Sequence, residues 1–328
     1  MTINTKHLAK ICGVSRGTVD RALHDRPGIN PETKERVLNA ARELGYIPNV
    51  VARSLVTGQT MSIGVVVFDL YNRFFAQFLN SVEQRAREHG FITYVTLTEK
   101  APEIERQCLI NLRERNVDGI ILFSVCKGEE YEEFLLSLNK PIITFGNVIS
   151  KNWPFVGIND RKGICDAVKG ISEKGYKRII YISYPLDHSG SVNMYALEER
   201  LAGFNEACRD MGIEGSSFYF KNMDTDRFIK DIKRKGPKPA ILCSSDIYAL
   251  DILKRLSENG IRVPDDAGLM GFDDIDTLQY VVPAISTVSY HVEGIGKCAV
   301  DYLIRSIKQE DVPKRTYLEH TVIIRDSL

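Results

Sequence analysis

The segment ICGVSRGTVDRAL (residues 11–23) decides how the N-terminal part of the chain folds. Its residues 13–17, GVSRG, match the G-x-S-x-G pattern of a hydrolase nucleophile elbow, in which a strand precedes the serine and a helix follows it. The preceding HLAKIC (7–12), however, places its apolar residues at helical spacing. A helix on both sides of a glycine turn makes Ser15 an N-cap, because its hydroxyl can accept hydrogen bonds from free backbone N–H groups.

A third helix is expected further along the chain. The second helix should run over residues 16–24. Asn30 then suits an N-cap and Pro31 the first helical position, and ETKERVLNAAREL (32–44) repeats apolar residues on one face. Three short helices with a tight turn between the first two make a helix-turn-helix module, so Ser15 is interpreted as a cap rather than a nucleophile.

The charge distribution favours a polyanion as partner of this module. The 328 residues carry 43 Lys or Arg and 43 Asp or Glu, so the whole chain is balanced. Residues 1–60, however, hold nine basic and five acidic side chains. A basic end on an acidic body is typical of a nucleic-acid-binding end. The length allows two or three domains, and 44% hydrophobic residues are ordinary for a globular protein.

Other patterns limit the function classes. The seven cysteines are scattered without a C-x-x-C pair, which is typical of reduced thiols in a cytosolic protein. The N-terminal residues are polar and charged, and no apolar run approaches the length of a membrane span. We therefore expect a cytoplasmic protein without a membrane partner. Zinc spacing, a P-loop and a complete dinucleotide fingerprint are missing from the sequence, so we expect neither a cofactor nor a bound metal, and no enzyme activity.

The segment over residues 7–55 resembles the DNA-binding headpiece of the lac repressor/purine repressor family. The resemblance is carried by L-A, G-V-S-x-x-T-V-x-R, I-x-P-E-T-x-x-x-V, L-G-Y-x-P-N and V-A-R-S-L, in that order and without a gap. It implies a headpiece over residues 1–47, a hinge segment over 48–60, and a two-lobed core similar to sugar-binding proteins. The fold class is accordingly α/β: a three-helix helix-turn-helix headpiece plus a two-lobed, periplasmic-binding-protein-like core of doubly wound parallel sheets.

The resemblance places the second helix in the major groove of DNA, with Arg16, Gly17 and Arg21 as the base-reading positions. An arginine can donate two hydrogen bonds to O6 and N7 of guanine, whereas Gly17 allows close approach. Ser15, Thr18 and His24 are candidate phosphate contacts, which position a protein without specifying sequence.

Asp20 departs from the serine that is usual in the family. A carboxylate near phosphates is unfavourable unless it is paired, and Arg16 stands four residues before it on the helix. We expect Asp20 to orient Arg16. Direct recognition of a cytosine amine is the second hypothesis, and a solvated helix charge is the third.

The hinge segment contains PNVVARSLVTG (48–58), which is too short to be a stable helix alone. In the family this segment becomes helical on the operator, paired with its twin from a second subunit, and a leucine wedges into the minor groove. The resemblance makes Leu55 that wedge, with Asn49, Ala52 and Arg53 as further DNA contacts. A plain flexible linker is the alternative. Replacing Leu55 with Ala should abolish specific operator affinity, and unchanged affinity in an anisotropy titration would reject the wedge.

From residue 61 onward, apolar strands alternate with helices in two rounds. Strands that are apolar on both faces and separated by helices predict doubly wound parallel sheets. We expect one lobe from residues 61–160 together with about 291–328, where LEHTVIIR (318–325) reads as a final strand. The other lobe should comprise residues 161–290. Segments such as ERLAGF (199–204) and AILCSSDIYAL (240–250) resemble the same family, so the resemblance spans nearly the whole chain.

Ligands of such sheets bind beyond the carboxyl ends of the strands, and this rule selects the candidate effector residues. They are Asp69, Asn72, Phe74, Phe75, Asp160, Asp246 and Phe272, and the resemblance adds Arg200. The resemblance implies that Arg200 and Asp246 bind the effector. A guanidinium facing carboxylates can hold hydroxyls of a small polyol, while aromatic rings cover an apolar sugar face.

Two alternatives concern individual effector residues. Arg200 could instead pair with Glu198 or Glu199 on a helix surface, and one of Phe74 and Phe75 could be plain core. The chain also has NMDTD (222–226) where other members of the family have an aromatic residue, so no ring stacking is expected from that side.

The sequence therefore predicts an effector-responsive transcriptional regulator, expected to be a repressor. A homodimer would place two headpieces on a pseudo-palindromic double-stranded DNA operator, and a sugar or sugar derivative would bind between the core lobes and act allosterically. A solute-binding protein for sugar uptake is the alternative, and an enzyme built on the doubly wound core is a third possibility.

Overall fold

A computed structural model describes residues 3–46, 58–187, 192–221 and 223–328. The chain divides into two compact units, Met1–Thr60 and Met61–Leu328, here called the headpiece and the core. Among the described residues, no helix combines the length and apolar character needed to cross a bilayer.

The described residues of the headpiece form three helices, whose ends are set by local side chains: α1 (Thr5–Cys12), α2 (Arg16–Leu23) and α3 (Pro31–Glu43). Asn4, Ser15 and Asn30 are their N-caps, and each accepts a hydrogen bond from a backbone N–H in the first turn. This confirms Ser15 as a cap: its Oγ accepts from Thr18 N at 3.1 Å. Gly13 ends α1 at φ 65°, a left-handed conformation that glycine adopts without steric cost.

A small apolar core holds the three helices together. Its buried residues come from every helix: Leu8, Ala9, Cys12, Val19, Ala22, Val37 and Ala41. On α2 these are Val19 and Ala22, three residues apart, so one face of this short helix is buried and the opposite face is available.

The first lobe of the core is built on a six-stranded parallel sheet with the strand order β11-β5-β4-β3-β1-β2. Its elements are β1 (Ser62–Val67), α4 (Arg73–Glu88), β2 (Ile92–Leu97), α5 (Pro102–Glu114), β3 (Gly119–Leu122), α6 (Glu129–Ser137), β4 (Ile142–Phe145), β5 (Phe155–Ile158), α11 (Val292–Ile307) and β11 (Arg315–Leu318). The strands β1, β3, β4 and β5 are buried throughout, as expected for a parallel sheet covered on both faces. Helix α6 was not predicted, because EEYEEFLLS combines four acidic residues with a short apolar stripe.

The second lobe is built on a four-stranded parallel sheet with the order β7-β6-β8-β9. Its elements are α7 (Asp160–Glu173), β6 (Arg178–Ser183), α8 (Tyr195–Met211), β7 (Glu214–Tyr219), α9 (Thr225–Lys233), β8 (Pro239–Cys243), α10 (Asp246–Glu258), β9 (Gly268–Met270) and a 3₁₀ turn (Asp276–Tyr280). Strands β6 and β8 are fully buried, whereas the edge strand β7 is half exposed.

Three connections join the two lobes. The chain passes from β5 to α7, returns through β10 (Thr287–Ser289) into α11, and leaves again from β11 into β12 (Thr321–Ile323). Strands β10 and β12 pair antiparallel. The final strand expected over 318–325 is therefore wrong as a single element: β11 extends the first sheet, and β12 crosses toward the second lobe, where Ser327 bonds to Leu269.

Gly203 sets the distance between α7 and α8. A Cβ atom at this position would lie 2.4 Å from the backbone carbonyl oxygen of Arg161 on α7, and backbone cannot move aside as a flexible side chain can. Glycine therefore allows the two helices to cross closely. The same crossing brings Asp160, the first residue of α7, beside Arg200, which lies one turn before Gly203 on α8.

Candidate functional site

The predicted base-reading residues of α2 are all exposed to solvent. Arg16, at the N-terminal end of the helix, Gly17 and Arg21 are exposed, while Val19 and Ala22 are buried. Ser15 and Thr18 stand together at the N-terminal end of the helix, where their hydroxyl oxygens are 2.9 Å apart. This end of a helix, with its free N–H groups and positive dipole end, favours anionic groups such as phosphate.

Asp20 lies on the same helix but does not orient Arg16. Its carboxylate contacts His24 Nδ1 at 3.1 Å and Arg26 Nη1 at 3.0 Å. The expected Arg16–Asp20 pair is therefore wrong. In a helix, an acid that precedes its basic partner by four residues is better placed than one that follows it, and Asp20 with His24 has the favourable order. The exposed guanidinium of Arg16 faces solvent without this carboxylate.

The expected DNA contacts of the hinge segment lie outside the described residues. These are Asn49, Ala52, Arg53 and Leu55. Their assignment rests on the sequence.

A cavity of about 570 Å³ lies between the two lobes of the core, a size typical of small-molecule sites. Segments that follow β1, β3 and β5 of the first lobe and β6, β8 and β9 of the second contribute to its wall. The cavity is thus at the carboxyl ends of both parallel sheets, where the sequence rule put it. Six of the eight predicted effector residues line it: Asp69, Asn72, Phe74, Phe75, Asp160 and Arg200.

Arg200 is the central cation of the cavity. Its Nε donates to Asp160 Oδ1 at 2.8 Å, its Nη1 lies 3.7 Å from Asp273 Oδ1, and it also donates to the carbonyl oxygen of Ser244. The surface pairing with Glu198 or Glu199 is wrong, because the Arg200 side chain is only 9% exposed and Glu199 pairs with Arg161 instead.

Burial and ion pairing compete in setting the charges of this cluster. Burial lowers the pKa of Arg200, but Asp160 and Asp273 outweigh it and the pKa is raised. Burial raises the pKa of Asp160 despite the opposing effect of Arg200. Burial likewise raises the pKa of Asp273 to about 6, again against Arg200. The Arg200 guanidinium therefore offsets only part of the desolvation of the two acids, and both pKa values stay above their ordinary value.

Asp246 and Phe272 stand behind the cavity wall rather than in it. Both are fully buried. The carboxylate of Asp246 accepts hydrogen bonds from Thr287 Oγ1 at 2.7 Å and from Ile275 N at 2.9 Å, so it is turned toward β10. The ring of Phe272 lies 4.1 Å from Cζ of Arg200 and supports it. Asp246 and Phe272 therefore do not line the cavity, contrary to the direct effector contact expected for them. Ser244 and Ser245, which precede Asp246, line it instead.

The first-lobe side of the cavity is largely aromatic. Phe74 and Phe75 are both nearly buried and both line it, so neither is plain core. Phe75 packs edge-to-face on Phe68 and Phe123, with ring centroids 5.6 and 5.2 Å apart. Such a wall offers flat apolar surface to the face of a sugar ring.

Asp69 and Asn72 lie where the first strand ends. Asp69 Oδ1 accepts from Tyr71 N at 3.0 Å, and its other oxygen lies 3.6 Å from Lys100 Nζ. Asn72 caps α4 through Oδ1 and reaches Ser245 Oγ of the second lobe at 3.4 Å through Nδ2. One side chain thus touches both lobes at the cavity.

Sequence reasoning missed several cavity residues: Lys100, Asn147, Tyr184, Asn193, Ser245, Tyr248 and Tyr290. Tyr184 directly follows β6, so the strand-end rule could have predicted it. The rule could not have predicted Tyr248, because this residue lies inside α10. It stacks on Phe220 with ring centroids 4.4 Å apart, so Phe220, just before the loop without an aromatic residue, supports a ring in the cavity wall.

Asn193 joins the lobes at the floor of the cavity. Its Nδ2 donates to the carbonyl oxygens of Cys126 and Val148 in the first lobe, each at 3.1 Å, and its backbone N donates to Val125 O at 2.8 Å. Asn147 of the first lobe donates in turn to Asn193 O at 2.8 Å. These contacts hold the start of α8, the helix that carries Arg200, against the first lobe. In the part of the chain that the structure describes, no cluster of His, Cys, Asp and Glu suits a metal ion.

The chain matches two known domain families. Residues 5–49 match "Bacterial regulatory proteins, lacI family", and residues 168–328 match "Periplasmic binding protein-like domain". The HTH-type transcriptional regulator RegA of Clostridium saccharobutylicum is 30% identical, over 100% of this chain and 99% of its own length. The HTH-type transcriptional repressor PurR of Vibrio atlanticus (strain LGP32) is also 30% identical, over 98% of this chain and 97% of its own.

Solved structures share the fold over the full length. The lac repressor dimer bound to operator and the anti-inducer ONPF has a TM-score of 0.88 at 22% identity and covers 100% of this chain and 99% of its own. The complex of the transcriptional regulator CelR with cellobiose has a TM-score of 0.70 at 25% identity and covers 99% of each chain. Full-length identity of 30% to a transcriptional regulator, together with a family match that spans α1 to α3, shows that this chain belongs to the lacI family of bacterial regulatory proteins.

Proposed function

We propose that the protein is an effector-responsive repressor of transcription that binds a pseudo-palindromic DNA operator as a homodimer. One observation carries the proposal: α2 exposes Arg16 at its N-terminal end and Arg21 further along, while Val19 and Ala22 are buried, in a chain whose core encloses a cavity. A helix with this presentation fits the major groove, where arginine recognises guanine.

In the core, we assign effector contacts to the six predicted residues that line the cavity. Arg200, held by Asp160, would present its remaining N–H groups to ligand hydroxyls, and Asp69 and Asn72 would accept or donate further hydrogen bonds. Phe74 and Phe75 would cover the apolar ring face of a sugar or sugar derivative. Asp246 and Phe272 support this arrangement from behind the wall.

Effector binding would act on the operator by changing how the lobes are held together. The wall contains residues from both lobes, so a ligand that contacts both favours one lobe arrangement by its differential affinity. The hinge segment, with Asn49, Ala52, Arg53 and Leu55 as its proposed DNA contacts, connects this core to the headpiece. Coupling of this kind is reciprocal: whatever factor the effector applies to operator affinity, the operator applies to effector affinity.

Selection of binding sites from a random duplex library by the full-length protein tests the DNA-binding role. We expect a two-fold symmetric sequence to be enriched, with affinity that falls steeply as salt rises. In anisotropy titrations at fixed salt, Arg16→Ala and Arg21→Ala should each weaken binding to the selected duplex, by about 1–3 kcal/mol.

Arg42→Ala is the matched control, because Arg42 is also an exposed headpiece arginine but lies in the last turn of α3. It should retain the preference for the selected duplex over a scrambled one. Failure to enrich any sequence, or equal losses in all three variants, would overturn the proposal and favour a solute-binding protein.

A further inference from the structure

The described wall of the cavity has more acidic than basic side chains. Its carboxylates come from four positions and its cations from two: Asp69, Asp160, Asp187 and Asp273 against Lys100 and Arg200. A ligand that enters therefore meets an excess of negative formal charge in a partly enclosed space. Because charges interact more strongly where water is excluded, this excess matters more here than on the surface.

Both cations are already matched by carboxylates. Arg200 lies between Asp160 at 2.8 Å and Asp273 at 3.7 Å and also donates to Ser244 O. Lys100 Nζ lies 3.6 Å from Asp69. An incoming anion would have to replace one of these carboxylates and leave it desolvated beside the new negative charge.

A further acid, Asp187, faces the same space. Asp187 is held in place by Val192 N, which donates to its Oδ2 at 2.9 Å. Ser245 Oγ donates to Asp273 at 2.7 Å. Burial already raises the pKa of Asp160 and Asp273, so these surroundings disfavour the negative charges they hold. A phosphate or carboxylate of a ligand would add another negative charge and so increase the desolvation and repulsion energy of the site.

A positive or neutral ligand group meets favourable partners instead. Hydroxyl groups can donate to the carboxylates, and an ammonium can pair with them directly. Aromatic rings of Tyr184, Tyr248 and Phe68 also line the cavity, and ring faces attract cations but not anions. Lys100 Nζ already uses this surface, 5.6 Å from the Tyr184 ring centre and 5.9 Å from that of Phe68.

We propose that the effector of this protein carries no phosphate or carboxylate group: the cavity takes an uncharged polyhydroxy compound and tolerates an amino substituent better than an acidic one. The proposal rests on the effector role proposed above and narrows it. It makes Asp69, which holds Lys100, a specificity-determining residue against anionic ligands.

The test uses the full-length protein and matched probes. Thermal shift and calorimetry would compare glucose, glucosamine, glucose 6-phosphate and glucuronate, and the corresponding series from galactose, mannose and ribose. In any series that binds, the parent and amino sugars should bind at least tenfold more tightly than the phosphate and the acid. A phosphate or uronate that binds more tightly than its parent overturns the proposal.

An unbiased experiment covers ligands outside these series. The protein is equilibrated with a small-metabolite extract, washed, and the retained compounds are identified by mass spectrometry. A retained compound without phosphate or carboxylate supports the proposal, and one with either group overturns it. If nothing is retained, both the effector role and this inference fall, whereas intact operator selection would still support the DNA-binding role.

Asp69→Asn separates the charge effect from a merely structural one. With its partner neutralised, Lys100 becomes available, so the discrimination between a bound sugar and its acidic derivative should shrink by about fivefold or more. Asp210→Asn, an exposed acid on α8, is the matched control and should leave the discrimination unchanged. If Asp69→Asn leaves the discrimination unchanged while the protein stays folded, the assigned role of Asp69 is wrong.

Discussion

Replacing Asn193 with alanine should destabilise the core strongly, although the change removes only a few atoms. Asn193 is 2% exposed. Its side chain makes three hydrogen bonds, to the carbonyl oxygens of Cys126 and Val148 at 3.1 Å each and from Tyr195 N at 3.3 Å. Alanine can replace none of these bonds.

The magnitude follows from the groups left behind. A buried group that loses its partner costs about 1–3 kcal/mol, and an ordinary hydrogen bond contributes about 1 kcal/mol. Cys126 O keeps a hydrogen bond from Ser124 Oγ, so its loss is small. Val148 O and Tyr195 N lose their side-chain partner. We expect Asn193→Ala to lower the free energy of unfolding by roughly 2–4 kcal/mol.

Urea unfolding followed by the fluorescence of Trp153 measures this loss. Trp153 is the only tryptophan in the chain, and it packs against the apolar cluster that contains Val125 and Cys126. It therefore reports on the core and not on the headpiece. The slope of free energy against urea should be unchanged in the variant, which would show that the same surface is exposed on unfolding.

Asn205→Ala is the matched control, because Asn205 is an exposed asparagine of α8. It should alter stability by less than about 0.5 kcal/mol. A loss below about 1 kcal/mol for Asn193→Ala, or equal losses in both variants, would refute the reasoning that Asn193 holds α8 to the first lobe.

Three further outcomes are expected. Ser15→Ala should weaken α2 by about 1 kcal/mol, seen as faster amide exchange there, whereas Ser15→Asn keeps a cap and should not; equal exchange in both would contradict the capping role. Gly203→Ala should lower the stability of the core by about 1–3 kcal/mol in the Trp153 assay, since the new Cβ meets a backbone carbonyl; a wild-type urea midpoint would show that the helices separate freely. Because the folded-state pKa of Asp273 is raised from 3.8 to about 6, its contribution to stability is largest below pH 3.8 and is lost as pH rises through about 6. Asp273→Asn should remove this part of the pH dependence in urea unfolding between pH 4 and 7, and an unchanged profile would contradict the assignment.

Local features of the fold were predictable from the sequence. Ser15, Asn30 and Pro31 act within one helical turn of their own positions, so their roles as caps and first helical residue follow from neighbouring residues alone. The alternation of strands and helices was predictable for the same reason. It failed at α6, which was not predicted, and at the final strand expected over 318–325, where β11 ends at Leu318 in one sheet and β12 pairs in another, because partner choice is a long-range property.

The residues of the candidate site were predictable where they directly follow a strand of the parallel sheets and where local structure alone fixes the orientation of the side chain. Arg200 was found through its motif, but its partners are distant along the chain. Asp160 comes 40 residues before it, and Asp273 comes from the segment after β9. Asp246 was misplaced because the rule gives its position at the strand end but not the turn of its carboxylate toward Thr287. Asn193 gave no signal, since its partners are backbone carbonyls that any sequence provides.

The three connections between the lobes also restrict how the core can deform. A single connection would let one lobe rotate freely relative to the other. Three neighbouring connections permit bending about one shared axis and resist twisting and translation of the lobes. They also provide redundancy: a protease that nicks one of them leaves two covalent links, so the halves should co-migrate under native conditions and separate only in denaturant. Bending of this kind changes the width of the cavity between the lobes, while the residues on its two sides stay opposite one another.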